Sequence, residues 1–328
     1  MKSTLSQVGE FGLIRKIISQ LPPLKKSVIL GPGDDCAAIR TRSHATLLLT
    51  TDMLIEGIHF SRDWMKAEQI GFKAMRVNLS DMAAMGGEPL YALLSVGLPP
   101  STKTVEAERL IKGILKAARE THVSILGGDT NASQNWMINI TLIGTPFYKN
   151  ILTRKGARVG DIIYVTGTLG GSALGLAALR KKKSGLYRSF IQQHIVPPNR
   201  ISVGKRLSFL PGVHSMIDIS DGFLGDLGHI LEESSVSAKI AYDHIPTPPR
   251  FLKSARQLGQ DPDFLKLSGG EDYELLFTAS PKAKIPGRIS GVPITPVGTI
   301  QTRKRSFLKT PLGFSHFSND FLLASVMS

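Results

Sequence analysis

Cysteine is nearly absent from this chain of 328 residues: Cys36 stands alone. No intrachain disulfide can form, and a reducing compartment, the cytoplasm, is the expected location. Histidine is scarce too, at 8 residues, with no His-x-x-x-His or Cys-x-x-Cys spacing, which argues against zinc. No segment approaches the roughly 20 apolar residues that cross a bilayer, and residues 1–10 lack the apolar stretch of an export signal, so an unexported protein independent of membranes is expected. Aromatic residues make up only 7%. Nucleic-acid binders interleave aromatics with basic residues, so the formal charge of +14, from 40 Lys and Arg against 26 Asp and Glu, is read as a solvated basic surface. Such a field could still speed encounter with anionic nucleotides. The familiar phosphate loops are missing as well: there is no Gly-x-x-x-x-Gly-Lys-Ser/Thr and no His-Arg-Asp catalytic loop.

What is present describes a folded protein, 42% hydrophobic and 20% charged. The length exceeds what one core usually supports, so two domains are expected, 1–148 and 149–328, divided where Pro146 and Lys149-Asn150 interrupt the apolar pattern. Apolar residues at helical spacing predict helices over 67–85, 104–120 and 223–233, and a first helix ending at Pro22-Pro23. Strands are predicted at 27–30, 36–39, 45–51, 91–98, 122–126, 136–144, 161–166 and 214–219. The stretch from Gly167 to Gly175 follows a strand and precedes a helix, but its spacing is not that of a dinucleotide fingerprint, and a tight turn is the better reading.

Acidic residues recur in one setting. Apolar runs end in Gly/Ser/Asn-rich turns carrying Asp34-Asp35, Asp52, Asp81, Gly127-Gly128-Asp129, Asp218 with Asp221, and Gly269-Gly270-Glu271-Asp272. Single turn aspartates usually cap helices, yet their repetition predicts carboxylates gathered outside strand ends. Two unit charges about 4 Å apart repel by roughly 4 kcal/mol at an effective dielectric near 20, about three pKa units. Such a cluster must protonate, spread apart or hold cations. With oxygen ligands, the expected cation is hard, magnesium above all, at a site that handles phosphates.

The blocks Gly33-Asp34-Asp35-Cys36-Ala37, Thr51-Asp52-Met53-Leu54 with Gly57-Ile58-His59-Phe60, Asn78-Leu79-Ser80-Asp81-Met82, Gly127-Gly128-Asp129-Thr130, Asp218-Ile219-Ser220-Asp221-Gly222 and Ser268-Gly269-Gly270-Glu271-Asp272-Tyr273 resemble the thiamine-monophosphate kinase family, in family order over nearly the whole chain. The resemblance implies a two-domain α/β (α+β) fold of the aminoimidazole ribonucleotide synthetase type, with the N-terminal sheet pairing across a homodimer. It implies that Asp35, Thr50, Thr51, Asp52, Asp81, Asp129, Asp218 and Asp221 hold several magnesium ions, Asp218 and Asp221 being central to catalysis. Gly128, Asp129, Arg154 and Ser220 would meet ATP, the co-substrate. His59, Glu271 and Phe314 would meet thiamine monophosphate, with Glu271 and Phe314 suited to a cationic thiazolium ring. Sister activities making aminoimidazole ribonucleotide or selenophosphate stay open, as does, more remotely, a basic nucleic-acid-binding protein. The early chain lacks the reactive cysteine of selenophosphate enzymes, and its end, Ser325-Val-Met-Ser328, lacks the cysteine tail of a related hydrogenase maturation factor.

Overall fold

A computed structural model describes residues 4–148 and 151–303. Strands β1 (Val28–Leu30), β2 (Ala37–Arg40), β3 (Thr46–Ile55), β4 (Gly87–Leu98), β5 (Ser124–Ala132) and β6 (Met137–Pro146) form a six-stranded sheet in the order β1-β2-β3-β6-β4-β5. The pair β4 and β5 runs parallel and the other neighbours antiparallel. Helix α1 (Leu5–Ile18), broken at Gly9, precedes this sheet, and α2 (Ala67–Ala84) and α3 (Thr104–Glu120) pack on one of its faces.

The second half repeats the mixed composition with a different sheet. Strands β7 (Ile162–Thr166), β8 (Val213–Asp218), β9 (Ser237–Ile240), β10 (Leu275–Ala279), β11 (Arg288–Ile289) and β12 (Val292–Gln301) run in the order β11-β12-β7-β10-β8, with β9 on β12 and every pairing antiparallel. Around it lie α4 (Gly171–Arg180), α5 (Arg188–Ile195), α6 (Ile201–Ser208), α7 (Phe223–Glu233), α8 (Phe251–Gln257) and α9 (Pro262–Ser268). None of the helices in the described residues is long and apolar enough to cross a membrane.

Two sequence patterns explain how the site is positioned. In β3 the period of two turns Leu48, Thr50, Asp52 and Leu54 inward and leaves Thr51 and Met53 on the open face. Helix α3 buries Leu110, Gly113, Ile114, Ala117 and Ala118, a single helical stripe. Helix α2 has no such stripe, because it is buried almost all round, between the first sheet, α3, α6 and β8. Its polar residues Lys73, Arg76, Asn78 and Ser80 are therefore interior groups that need partners.

The expectation that the acidic residues stand at strand ends holds for Asp34-Asp35, in the turn after β1, and for Asp218 and Asp221, at the end of β8 and in the loop that follows it, but not for the others. Asp52 lies inside β3 and Asp81 inside α2. Asp129 lies within β5, which continues through Gly127 to Ala132 because β4 offers parallel partners from Leu93↔Gly127 to Leu98↔Ala132. Strand pairing overrides the local turn propensity of Gly127-Gly128.

Helices α2 and α3 cross at glycines. A Cβ on Gly71 would lie 2.0 Å from the Leu110 carbonyl oxygen, and one on Gly113 would lie 1.9 Å from that of Glu68. Gly113→Ala is expected to push the helices apart and lower stability by about 1–3 kcal/mol, read as a lower Tm. Unchanged thermal stability would contradict this close crossing.

Candidate active site

A cleft of about 820 Å³ lies between the halves, lined from the first by Asp34, Asp35, Thr50, Asp52, His59 and Asp81 and from the second by Arg154, His194, Asp218, Ser220, Asp221 and Glu271. At its floor one oxygen each of Asp35, Asp81 and Asp218 lies within 4.8 Å of the others. They arrive from the β1–β2 loop, helix α2 and the end of β8. Each is fixed by a neighbour. The Thr50 hydroxyl donates to Asp81 Oδ2 at 2.5 Å, and the Ser80 hydroxyl to Asp218 Oδ2 at 2.6 Å. Asn78 Oδ1 accepts the backbone N–H of Asp52 at 3.1 Å, which ties β3 to α2. The Arg154 guanidinium donates to Asp35 Oδ1 through Nε at 3.1 Å and Nη2 at 2.5 Å, while its backbone N–H donates to Asp34.

The electrostatics follow from burial. Burial first, then the Asp35 charge, pushes the Asp218 pKa up to about 8, and burial with the Asp35 charge takes Asp34 to about 7. Asp81 is raised well above the usual carboxylate range by burial and by Asp52 and Asp218. Asp35 is raised by burial, which Arg154 offsets only in part. Among the described residues, Asp35 Oδ2 is buried without a hydrogen-bond partner. An unpaired buried carboxylate oxygen amid two further carboxylates is a donor set that fits a hard divalent cation.

Asp221 follows at the start of α7 in a loop held by a residue that the sequence did not single out. Asp226 Oδ2 accepts the backbone N–H groups of Ser220, Asp221 and Gly222 at 3.1, 3.2 and 3.1 Å. The Ser220 carbonyl in turn accepts the backbone N–H of Glu271 at 2.7 Å, so the two second-half loops are interlocked.

Comparison with known proteins agrees with this architecture. The family model of AIR synthase related protein, N-terminal domain, matches residues 33–145, and that of its C-terminal domain matches residues 158–305. The thiamine-monophosphate kinase of Haemophilus influenzae is 36% identical over 307 residues, covering 92% of this chain and 92% of that protein. That of Aquifex aeolicus is 35% identical over 321 residues, covering 95% and 99%. The chain belongs to the thiamine-monophosphate kinase family. The solved structure of AaThiL complexed with AMPPCP and TMP matches with a TM-score of 0.85 at 32% identity, over 96% of this chain and 99% of that one.

Not every residue singled out for the thiamine-monophosphate kinase resemblance reaches the cleft. Thr51 lines it from the open face of β3, its hydroxyl at 3.1 Å from that of Thr141. Gly128 and Asp129 stand on the edge strand β5, three strands from β3 and so roughly 14 Å away. The register row Met53, Asn139, Ser95, Asp129 turns the Asp129 side chain to the open face, opposite to that of Asp52. Phe314 lies outside the described residues. His59 follows β3 in a turn where its Nδ1 accepts the Ile55 N–H at 3.0 Å, which puts the proton of the neutral ring on Nε2.

The Ser268-to-Leu275 block divides its acids among different tasks. Asp272 accepts the N–H groups of Gly170 and Ser172 at 2.7 and 3.2 Å, so a protein carboxylate already occupies the start of α4 and the Gly167–Gly175 stretch is a tight turn. Glu274 pairs with Arg200 and the Thr166 hydroxyl. Glu271 alone of the three lines the cleft. Its partners Lys73 and His194, like Asp226, went unnoticed in the sequence, because a lysine or histidine within an apolar helix carries no local mark of a distant partner.

The raised carboxylates set a pH dependence. Unfolded, Asp218 ionises near 3.8; folded and without a cation, near 8. The folded state then binds more protons across that interval, so stability falls as pH rises from about 4 to 8. A divalent cation stabilises the ionised cluster and opposes the loss. The Tm in EDTA is expected to drop from pH 5 to pH 8, and added magnesium to raise it more at pH 8 than at pH 5. A magnesium effect equal at both values would contradict a buried acidic cluster.

Proposed function

We propose that this chain transfers the γ-phosphoryl group of ATP to the terminal phosphate of thiamine monophosphate, giving thiamine diphosphate and ADP. The observation that carries the reading is the meeting of Asp35, Asp81 and Asp218 from both halves at the floor of one cleft whose walls include His59 and Glu271. That the similar AaThiL was solved with AMPPCP and TMP supports it.

The acceptor is a phosphate monoester with a second pKa near 6, already mostly ionised at neutral pH, so no general base is needed. The obstacle is repulsion between two anions. In this reading Asp35, Asp52, Asp81 and Asp218, with Asp221 at the rim and the Thr50 hydroxyl behind Asp81, would hold magnesium ions. Bound magnesium supplies charge neutralisation and in-line alignment of phosphates. The chain's own part is to hold the carboxylates at fixed separations: Ser80 orients Asp218, Thr50 orients Asp81 and Asp226 orients the Ser220–Asp221 backbone. Arg154 and Ser220 would meet the nucleotide, and the Arg154 guanidinium can make charge-assisted contacts to phosphate. His59 Nε2–H and Glu271 would meet the thiamine portion.

The proposed compartment is the cytoplasm, which suits Cys36, a buried free thiol. The proposed domain division, 1–148 and 149–328, is supported by the two sheets falling on either side of it. A homodimer through the open face of the first sheet is supported by the exposure there of Met53 (45%), Tyr91 (44%) and Leu93 (41%). Asp129 shares that face, so in this reading Asp129, with Gly128 in the same strand, serves the cleft of the paired chain.

Two experiments test these readings. ADP release should require both thiamine monophosphate and magnesium, and Asp218→Asn should fold normally yet lose nearly all of it. Turnover by that variant at the wild-type rate would remove Asp218 from the chemistry. Mixed dimers of Asp218→Asn and Asp129→Asn chains should regain activity, since one cleft in each would be intact, whereas each variant alone stays inactive. Mixed dimers as inactive as the parents would mean that Asp129 does not act across the pair.

A further inference from the structure

Lys73 is the most deeply buried charge in α2, its side chain 1% exposed, and its ammonium faces the cleft wall from behind. It donates to Glu271 Oε1 at 3.0 Å and to the His59 carbonyl oxygen at 3.3 Å. These acceptors belong to opposite halves of the molecule, and both residues are those that the proposed function assigns to the thiamine portion. The other carboxylate oxygen, Glu271 Oε2, lies 3.1 Å from His194 Nδ1, which is also 3.1 Å from the Ser172 hydroxyl. Burial first and the Lys73 charge second keep His194 neutral, so Lys73 is the cation of the group. Burial alone would raise the Glu271 carboxyl, but Lys73 and His194 outweigh it and hold the group ionised.

The charge count is decisive. One ammonium, one carboxylate and one neutral imidazole sum to zero, so Glu271 has little net charge to offer a thiazolium ring. It does keep unused lone pairs, since a carboxylate has about four acceptor sites and the contacts to Lys73 and His194 occupy two. Its side chain is 25% exposed, on the side that lines the cleft. Its backbone is held at a φ of 55°, with its N–H on the Ser220 carbonyl, so the acceptor is fixed at both ends.

Resting on the proposed activity, we infer that Lys73 is a positioning residue for substrate recognition. Its ammonium neutralises and orients Glu271, so that Glu271 accepts a hydrogen bond from the exocyclic amino group of the substrate's pyrimidine instead of serving as counter-charge to the thiazolium. Lys73 also ties the His59 turn to the same carboxylate, which makes one recognition unit from both halves.

The test compares thiamine monophosphate with oxythiamine monophosphate, in which an oxygen replaces that amino group. A site built to accept an N–H rejects the analogue lacking it, so wild-type kcat/KM should favour the amino substrate by at least about tenfold. Lys73→Met should raise the KM for thiamine monophosphate by about ten- to a hundredfold, leave the KM for ATP unchanged and flatten the preference between the two substrates. Lys73→Arg should restore part of the preference. Lys73→Met leaves a buried carboxylate short of its cation, so the neutral pair Lys73→Met/Glu271→Gln provides a second variant: its Tm should recover while its substrate preference stays flat. A wild-type protein indifferent to the amino group, or a double variant with the wild-type preference, would overturn the inference. Absence of any thiamine monophosphate-dependent ADP release by the wild-type protein would instead overturn the proposed activity.

Discussion

Repulsion among Asp35, Asp81 and Asp218 is the constraint around which the molecule is arranged. Three carboxylates within 4.8 Å of one another, Asp35 and Asp218 buried and Asp81 half-buried, are unfavourable in any folded chain, and they are held there by elements that come from three separate parts of the sequence. The tertiary fold supplies the opposing force. Helix α2 is packed on nearly every side, so Asp81 cannot retreat without unseating the core of the first half, and Asp218, though on the edge strand β8, is buried against α2 and held by the Ser80 hydroxyl. Arg154 relieves part of the repulsion at Asp35, but one guanidinium cannot balance three carboxylates. The remaining charge is what makes a hard cation the natural occupant.

Helix α2 is the common support of both ends of the cleft. Within a little more than two turns it carries Lys73, Asn78, Ser80 and Asp81, which fix respectively Glu271, the backbone of Asp52, Asp218 and the cluster itself. One rigid element therefore sets the spacing between the Glu271 wall, proposed to recognise the substrate, and the acidic floor. An error in its position would move both together. The close glycine crossing with α3 is the packing device that keeps this helix from sliding.

Much of this was legible in the sequence because it is local. Helix α3 and helix α7 have the boundaries their apolar spacing predicts, and the motif blocks place Asp35, Asp52, Asp81, Asp218, Asp221, His59 and Glu271 on one cleft. What was not legible is non-local. The strand-end picture came from parallel sheets, whereas the second sheet is wholly antiparallel and Asp52 and Asp81 lie within elements. Asp129 reads as one more acidic turn until the register shows it on the opposite face from Asp52. Asp226 and Lys73 have roles defined entirely by partners, five residues away across a loop in one case and 198 away in the other, and nothing in composition or spacing marks such pairs.

The charge of the chain then makes sense at two distances. From afar, a formal charge of +14 attracts polyanions such as nucleotides and phosphate esters, an effect that salt screens over about 10 Å. Close in, the cleft floor presents carboxylates that would repel the same phosphates. A basic surface with an acidic floor is thus suited to anions that arrive together with divalent cations and poorly suited to those that arrive bare. The neutral Lys73–Glu271–His194 group fits the same scheme, because a recognition wall of zero net charge adds nothing to the repulsion on the floor and can be specific through hydrogen-bond geometry alone. Under the proposed activity, selectivity for the organic part of a phosphorylated substrate and tolerance of its charge would in this way fall to different sides of one cleft.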